Sequence, residues 1–163
     1  MDTLDHQTTM GLDTFEPFLK GTVYLDPTAQ TVLAGDGAGR GSLTMLARAN
    51  PAAPVITNVG TTGAVTYGYK IVATVNGLST AAGAEGTTTT GHATLDGTNY
   101  NVVTWTAVPG ATGYKVYRTT GGTTPPMLIS TITDGSLCVY SDQDKPSGSA
   151  ETPSTTNGTG VLT

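Results

Sequence analysis

The sequence predicts an all-β protein: an N-terminal extended arm with a small β-unit, then a β-sandwich. Three observations carry that expectation. Apolar residues alternate at period two in Val103, Trp105 and Ala107, and the alternation resumes in Tyr114, Val116 and Arg118 after a Pro109-Gly110 break. Two such runs joined by a short Pro/Gly loop describe antiparallel strands with one buried face. Next, Asn76-Gly77 follows the alternating run Tyr67, Tyr69, Ile71, Ala73 and Val75, a strong two-residue hairpin signal. Finally, only 12% of residues are charged and 37% hydrophobic, and most of the rest are Thr, Gly, Ser, Asn and Pro. Such a composition disfavours helices and suits short strands joined by tight turns.

Residues 1–50 read as an arm and a small anchoring unit. In the arm, Leu12, Phe15, Phe18 and Leu19 form an apolar patch that Pro17 keeps from becoming a long helix. Phe15, Phe18 and Leu19 are the candidate assembly contacts. They either pack on the chain's own next strands or dock on a neighbouring subunit. Strands are expected over 21–25, 31–34 and 42–47, with the glycine-rich loop 35–41 between the last two. So small a β-unit buries no core alone. Asn50-Pro51-Ala52-Ala53-Pro54 reads as a semi-rigid spacer.

Residues 51–145 read as consecutive short strands, over 55–59, 65–75, 78–82, around Trp105, around Tyr114, 127–132 and 138–140. The run Thr87 to Thr90 has β propensity but little to bury, and Ala93 to Leu95 suggests a short edge. Trp105, the single tryptophan, is the expected core nucleus. Residues 146–163 form a Ser/Thr/Pro-rich tail, expected to be disordered unless it adds a strand to a neighbour.

The net charge of -5, with 7 scattered basic residues, gives no electrostatic footprint for nucleic acid. No apolar run approaches the ~20 residues of a membrane helix. Met1-Asp2-Thr3-Leu4-Asp5-His6 lacks the basic and apolar regions of a secretory signal. The single Cys138 cannot form an internal disulfide, and is expected as small core filler in a protein made in a reducing cytoplasm.

Several motifs resemble a known family. Asn101-Val102-Val103-Thr104-Trp105 and Gly113-Tyr114-Lys115-Val116-Tyr117-Arg118 are similar to the second and third strands of fibronectin type III-like (Ig-like) modules. Val139-Tyr140-Ser141-Asp142 is similar to a later strand of these modules. The run 66–73 followed by Asn76-Gly77-Leu78-Ser79 resembles their closing hairpin. The order departs from theirs, since the hairpin here precedes the Trp strand. This implies either a permuted module or strands shared between neighbours. The permuted, Thr/Gly-rich form resembles modules in virion structural proteins of tailed bacteriophages, in tail fibres, head fibres and capsid decoration proteins.

The search for chemistry leaves little. Gly35-Asp36-Gly37-Ala38-Gly39-Arg40-Gly41 lacks the Lys-Ser/Thr pair and following helix of a phosphate cradle. His6 and His92 have no metal-spaced partners. Asp134, Asp142 and Asp144 could form a loose calcium site, but solvated turn acids are the simpler reading. No nucleophile elbow or catalytic triad is visible. Glu16, Glu85 and Glu151 lie far apart in sequence, and nothing pairs them for glycosidic work. Alternation turns Tyr67, Tyr69 and Tyr114 inward and Tyr117 outward, which makes Tyr117 the exposed contact candidate.

Together with the resemblance, these readings predict a non-enzymatic structural protein of a phage particle, without cofactor or metal. It would be a decoration or head-fibre protein, located in the virion and made in the host cytoplasm. Its expected partners are itself, as a homotrimer, and other virion proteins such as the major capsid protein. The alternatives are a tail or neck component, or a carbohydrate-binding module for a host-surface glycan.

Overall fold

The computed structural model describes residues 47–122, 126–144 and 149–159, and the backbone of 31–35 and 41–45. The chain divides into two compact units, residues 1–46 with 162–163, and residues 47–161. In the first unit, β1 (Thr31–Gly35) pairs antiparallel with β2 (Gly41–Met45), with Leu33 opposite Leu43. The arm candidates Phe15, Phe18 and Leu19, and the strand expected over 21–25, lie outside the described residues.

The second unit is a sandwich of two antiparallel sheets. A three-stranded sheet has the order β10 (Val139–Asp142), β7 (Tyr100–Thr104), β3 (Val55–Val59). The larger sheet is centred on β4 (Val65–Val75) and β8 (Gly113–Thr120), with β9 (Met127–Ile132) beyond β8. The other edge of β4 is taken in turn by β5 (Leu78–Ser79) and β6 (Gly86–Gly91). The hairpin turn between β4 and β5 has Asn76 and Gly77 at φ 49° and 86°, the left-handed geometry that Asn-Gly favours.

Both sheets close within one chain, although β4 and β5 precede the Trp105 strand in sequence. The pairing of β4 with β8 spans the intervening chain, Ile71 lying opposite Val116.

Period-two alternation explains the core. Tyr67, Tyr69, Ile71 and Ala73 of β4 pack with Tyr114 and Val116 of β8, and with Val103 and Trp105 from the opposite sheet. Trp105 meets Tyr114 edge-on, with ring centroids 5.3 Å apart. Each large side chain removed from water contributes about 1.5–3 kcal/mol. Every core tyrosine also satisfies its hydroxyl: Tyr67 donates to the His92 carbonyl (2.9 Å), and Tyr114 accepts the Val108 N–H (2.9 Å). Cys138 is half-buried against this core.

Some expectations are corrected. Pro51 and Pro54 are buried rather than part of a free spacer, and the Pro54 carbonyl packs so closely on Gly86 that a side chain there would collide with it. The stretch Ala93 to Leu95 is loop, not an edge strand, and Leu95 sits in the core. Residues 149–159, expected as a tail, lie along the larger sheet. Ser149 bridges to Leu128, the Ala82 N–H donates to the Ser154 carbonyl, and the Gly158 N–H donates to the Ser79 carbonyl. This strap ends beside the start of the unit. There the Arg48 N–H donates to Thr159 Oγ1 (2.7 Å) and Asn157 Nδ2 to the Arg48 carbonyl (2.8 Å). The sandwich therefore begins and ends at a single pole, the one that also carries Gly110, against which the Arg48 guanidinium packs.

Candidate functional site

Three features of the sandwich invite a functional reading: a buried polar chain, the strapped outer face and a bare outer face.

The polar chain runs across the core. Thr88 and Thr90 of β6 donate to Asn58 Oδ1 (2.8 and 2.9 Å), and Asn58 Nδ2 donates to Asn101 Oδ1 (2.7 Å). Asn101 Nδ2 donates to the Tyr69 hydroxyl, which donates to Asp142 Oδ2, both at 2.8 Å. Arg118 closes the chain with Nη1 on Asp142 Oδ2 (3.0 Å) and Nη2 on Asp144 Oδ1 (2.7 Å). From the threonines to Tyr69 each donor points toward Asp142, so each bond polarises the next. Asn101, Tyr69, Arg118 and Asp142 are all at most 1% exposed.

Local structure explains the arrangement. The regular register of β4 on β8, Ile71 opposite Val116, continues to place Arg118 directly opposite Tyr69 on the inner face, and the ladder shifts only beyond that pair. Gly122, at φ 70°, lets the backbone cross the guanidinium. A methyl group there would sit 2.7 Å from Arg118 Cζ. Burial works against the Arg118 charge, but Asp142 and Asp144 outweigh it and hold the guanidinium's pKa above its ordinary value. Burial and then the Asp142 charge push the Tyr69 hydroxyl far upward, so it remains a donor at every ordinary pH.

Asp142 and Asp144 are thus arginine partners rather than solvated turn acids or a calcium site. Asp134 does cap a turn, accepting from the N–H and hydroxyl of Ser136. Among the described residues no group of three His, Cys, Asp or Glu side chains is placed to hold a metal. Chemically, the chain of contacts is a lock between the two sheets. The Asp142 carboxylate is committed to Arg118, Tyr69 and the Asp144 N–H and is closed to solvent. Tyr69→Phe tests the lock. It leaves Asn101 Nδ2 and Asp142 Oδ2 each short of a buried partner, and is expected to cost about 1–3 kcal/mol in equilibrium denaturation.

The strapped face corrects the expectation for Tyr117. Alternation does turn Tyr117 away from the core, beside Val72, but both are only 1% exposed because residues 149–159 lie over that face. The Tyr117 hydroxyl donates to Glu151 Oε1 (2.6 Å), which also accepts from Lys115 Nζ (3.0 Å). Tyr117 is not an exposed contact residue. Glu85 accepts from Thr119 on the same strand, so the two glutamates each serve β8 rather than forming a catalytic pair. A shallow groove beside the strap is lined by Asn50, Lys70, Thr119 and the run Thr152 to Thr155.

The hydrogen bond from Tyr117, then that from Lys115, holds the Glu151 carboxyl below the usual carboxylate range. Its folded value is lower than its unfolded one of ~4.3. The hold on the strap is therefore complete above that value and is lost as pH falls through the folded one. Glu151 is over a third exposed, so the contribution is small, about 0–1 kcal/mol. Protection factors of the Ala82 and Gly158 amides are expected to fall between pH 6 and pH 3. With Glu151→Gln they should be low at both.

The bare face is the outside of the three-stranded sheet. Register places Val55, Thr104 and Val139 in one row and Thr57, Val102 and Ser141 in the next. No charged residue lies in either row. Val55 (65%), Leu137 (43%) and Val139 (40%) are the exposed large hydrophobics among the described residues. All three belong to the pole at which the unit begins and ends, β3 starting at Val55 and β10 at Val139.

Sequence reasoning placed Arg118 on the inner face but did not find its partners, and it did not single out the bare face. A signal for the first existed: an arginine in phase with Tyr114 and Val116 needs a buried carboxylate. Compared with known proteins, the chain matches no family model, no curated protein and no solved structure.

Proposed function

We propose that the chain is a non-enzymatic structural protein of a tailed-phage particle, attached through residues 1–46 and holding the sandwich outward as a decoration or head-fibre element. The observation that carries this reading is the single pole at which the sandwich begins and ends, tied by Arg48, Asn157 and Thr159. A module held at one pole presents its opposite loops away from its attachment, as a projecting element requires. The polar lock between its sheets suits a rigid spacer better than a reaction centre, because its inner carboxylate, Asp142, is committed to arginine and closed to solvent. The motif resemblance to phage virion modules supplies the setting. The rival reading as a glycan-binding module rested on Tyr117, and burial beneath the strap removes that support.

The test is immunogold electron microscopy on particles assembled with the full chain or with residues 47–161 alone. Regular labelling of heads by the full chain, lost on truncation, is the expected result. Labelling confined to tail or neck would move the protein to the alternative location. Equal labelling by the truncated chain would overturn the anchor assignment, and no labelling by either would overturn the particle reading.

A further inference from the structure

The sequence contains the dipeptide Asn-Gly twice, at 76–77 and at 157–158. Asparagine before glycine loses its side-chain amide readily, because glycine has no Cβ to keep its nitrogen away from the preceding side chain. The two copies share this chemistry, and the fold gives them opposite surroundings.

Asn157 is held at both ends of its amide. Its Nδ2 donates to the Arg48 carbonyl and to Asn50 Oδ1, both at 2.8 Å. Its Oδ1 accepts from the N–H (3.1 Å) and the hydroxyl (2.7 Å) of Thr159. The Gly158 nitrogen, which would have to attack, is also committed, its N–H donating to the Ser79 carbonyl at 2.8 Å. An acid at 157 would turn an oxygen toward the Arg48 carbonyl and Asn50 Oδ1 where a donor now stands, and so undo the tie at the pole.

Asn76 stands in the turn between β4 and β5, where both it and Gly77 are exposed. Its main chain is tied, the N–H donating to Thr112 Oγ1 at 3.2 Å. Among the described residues, neither its side-chain amide nor the Gly77 N–H has a hydrogen-bond partner. Open space surrounds the position that a side chain on Gly77 would take. The hairpin that holds the turn is short, since β5 is two residues long. So small a pairing opens locally at little cost, and opening lets the Asn76 side chain swing onto the Gly77 nitrogen.

We propose that Asn76 is a site of spontaneous deamidation, while the fold protects the same dipeptide at Asn157. The Gly77 nitrogen gives its proton to solvent and bonds to Asn76 Cγ. The Cγ–Nδ2 bond breaks, and Nδ2 leaves as ammonia after taking a proton from water. Water then opens the resulting succinimide at either carbonyl, giving aspartate or isoaspartate. Both products add one negative charge at the turn. Isoaspartate also lengthens the main chain of a turn whose two residues set Thr74 opposite Ser79 and Val75 opposite Leu78.

The experiment holds the full chain at mildly alkaline pH, in native buffer and in urea. Ion exchange follows the acidic species over time, and fragmentation mass spectrometry reads the acid fraction at 76 and at 157. In native buffer Asn76 is expected to convert about tenfold or more faster than Asn157, in proportion to how often each segment opens. In urea the two rates should converge to within about threefold, since neither amide is then held by the fold. Asn76→Gly suits the left-handed turn without steric cost. It should keep the wild-type melt and remove most of the acidic species.

An Asn157 that converts as fast as Asn76 in native buffer overturns the proposal, as does an Asn76 that keeps its amide there. Acidic species that persist in Asn76→Gly would place the modification elsewhere and overturn it too. A tenfold gap that survives in urea would assign the difference to the neighbouring residues in sequence, and the protection by the fold would fall.

Discussion

Replacing Arg118 with alanine is expected to destabilise the sandwich by about 3–5 kcal/mol, because it strands the Asp142 carboxylate in the core without its counter-charge. Asp142 is 1% exposed, and its remaining donors among the described residues would be the Tyr69 hydroxyl and the Asp144 N–H, neither of them ionic. The same reasoning ranks the neighbours. Asp144 meets Arg118 at the shorter distance, 2.7 Å, yet its side chain is 32% exposed against 2% for Asp142. Solvent screens such a pair, and Asp144→Ala should cost under about 1 kcal/mol. Arg118→Lys should fall between the two, since an ammonium cannot fork between two carboxylates. Urea denaturation at low and high salt is the measurement. Arg118→Ala should lower the midpoint at both. Equal effects for Asp144→Ala and Arg118→Ala would show that the outer contact, not the inner one, anchors the arginine.

Trp105→Ala is the second large effect, expected to cost about 3–5 kcal/mol and to lower the melting temperature by roughly 10 °C or more. Trp105 is 7% exposed and stands edge-on to Tyr114, at the point where β7 and the loop to β8 cross between the sheets. The loss is of volume and contact rather than of polarity, for among the described residues the indole Nε1 meets no hydrogen-bond acceptor. Trp105→Phe consequently forfeits no hydrogen bond and should retain most of the stability. Calorimetry on the three proteins separates these cases. An alanine variant melting with the wild type would mean that the core is centred elsewhere.

Much of the sandwich was legible because short strands with one buried face announce themselves at period two. The strands 55–59, 65–75 and 127–132 lie where alternation and turn residues put them, and Asn76-Gly77 forms the expected hairpin turn. The stretch 78–82 was legible only in part. Its first two residues pair as a strand, and the chain then follows β4 irregularly, through Thr80 N–H on the Ala73 carbonyl and Gly83 N–H on the Ile71 carbonyl. The Thr87 to Thr90 run was marked as strand-forming with little to bury. Its threonines instead hydrogen-bond Asn58, a use of side-chain oxygen that hydrophobic periodicity does not register.

By itself the sequence determined the fold class, the core tyrosines, the place of Trp105 and the faces of β4 and β8, which depend on local periodicity and turn chemistry. Ala107, expected in phase with Trp105 on the buried face, is exposed, because the strand ends at Thr104 and Val108 is buried instead. Only the tertiary structure decided what covers each face and which polar groups meet. Tyr117 points away from the core, as alternation requires, yet it is buried because a strap from residues 149–159 reaches it. Asp142 and Asp144 looked like surface acids until the packing of the two sheets put Arg118 of β8 within reach of them. Val55 and Val139 remain bare because no described segment returns to them. In each case the deciding partner lies far along the chain, and a period-two pattern records the direction of a side chain but not what it meets there.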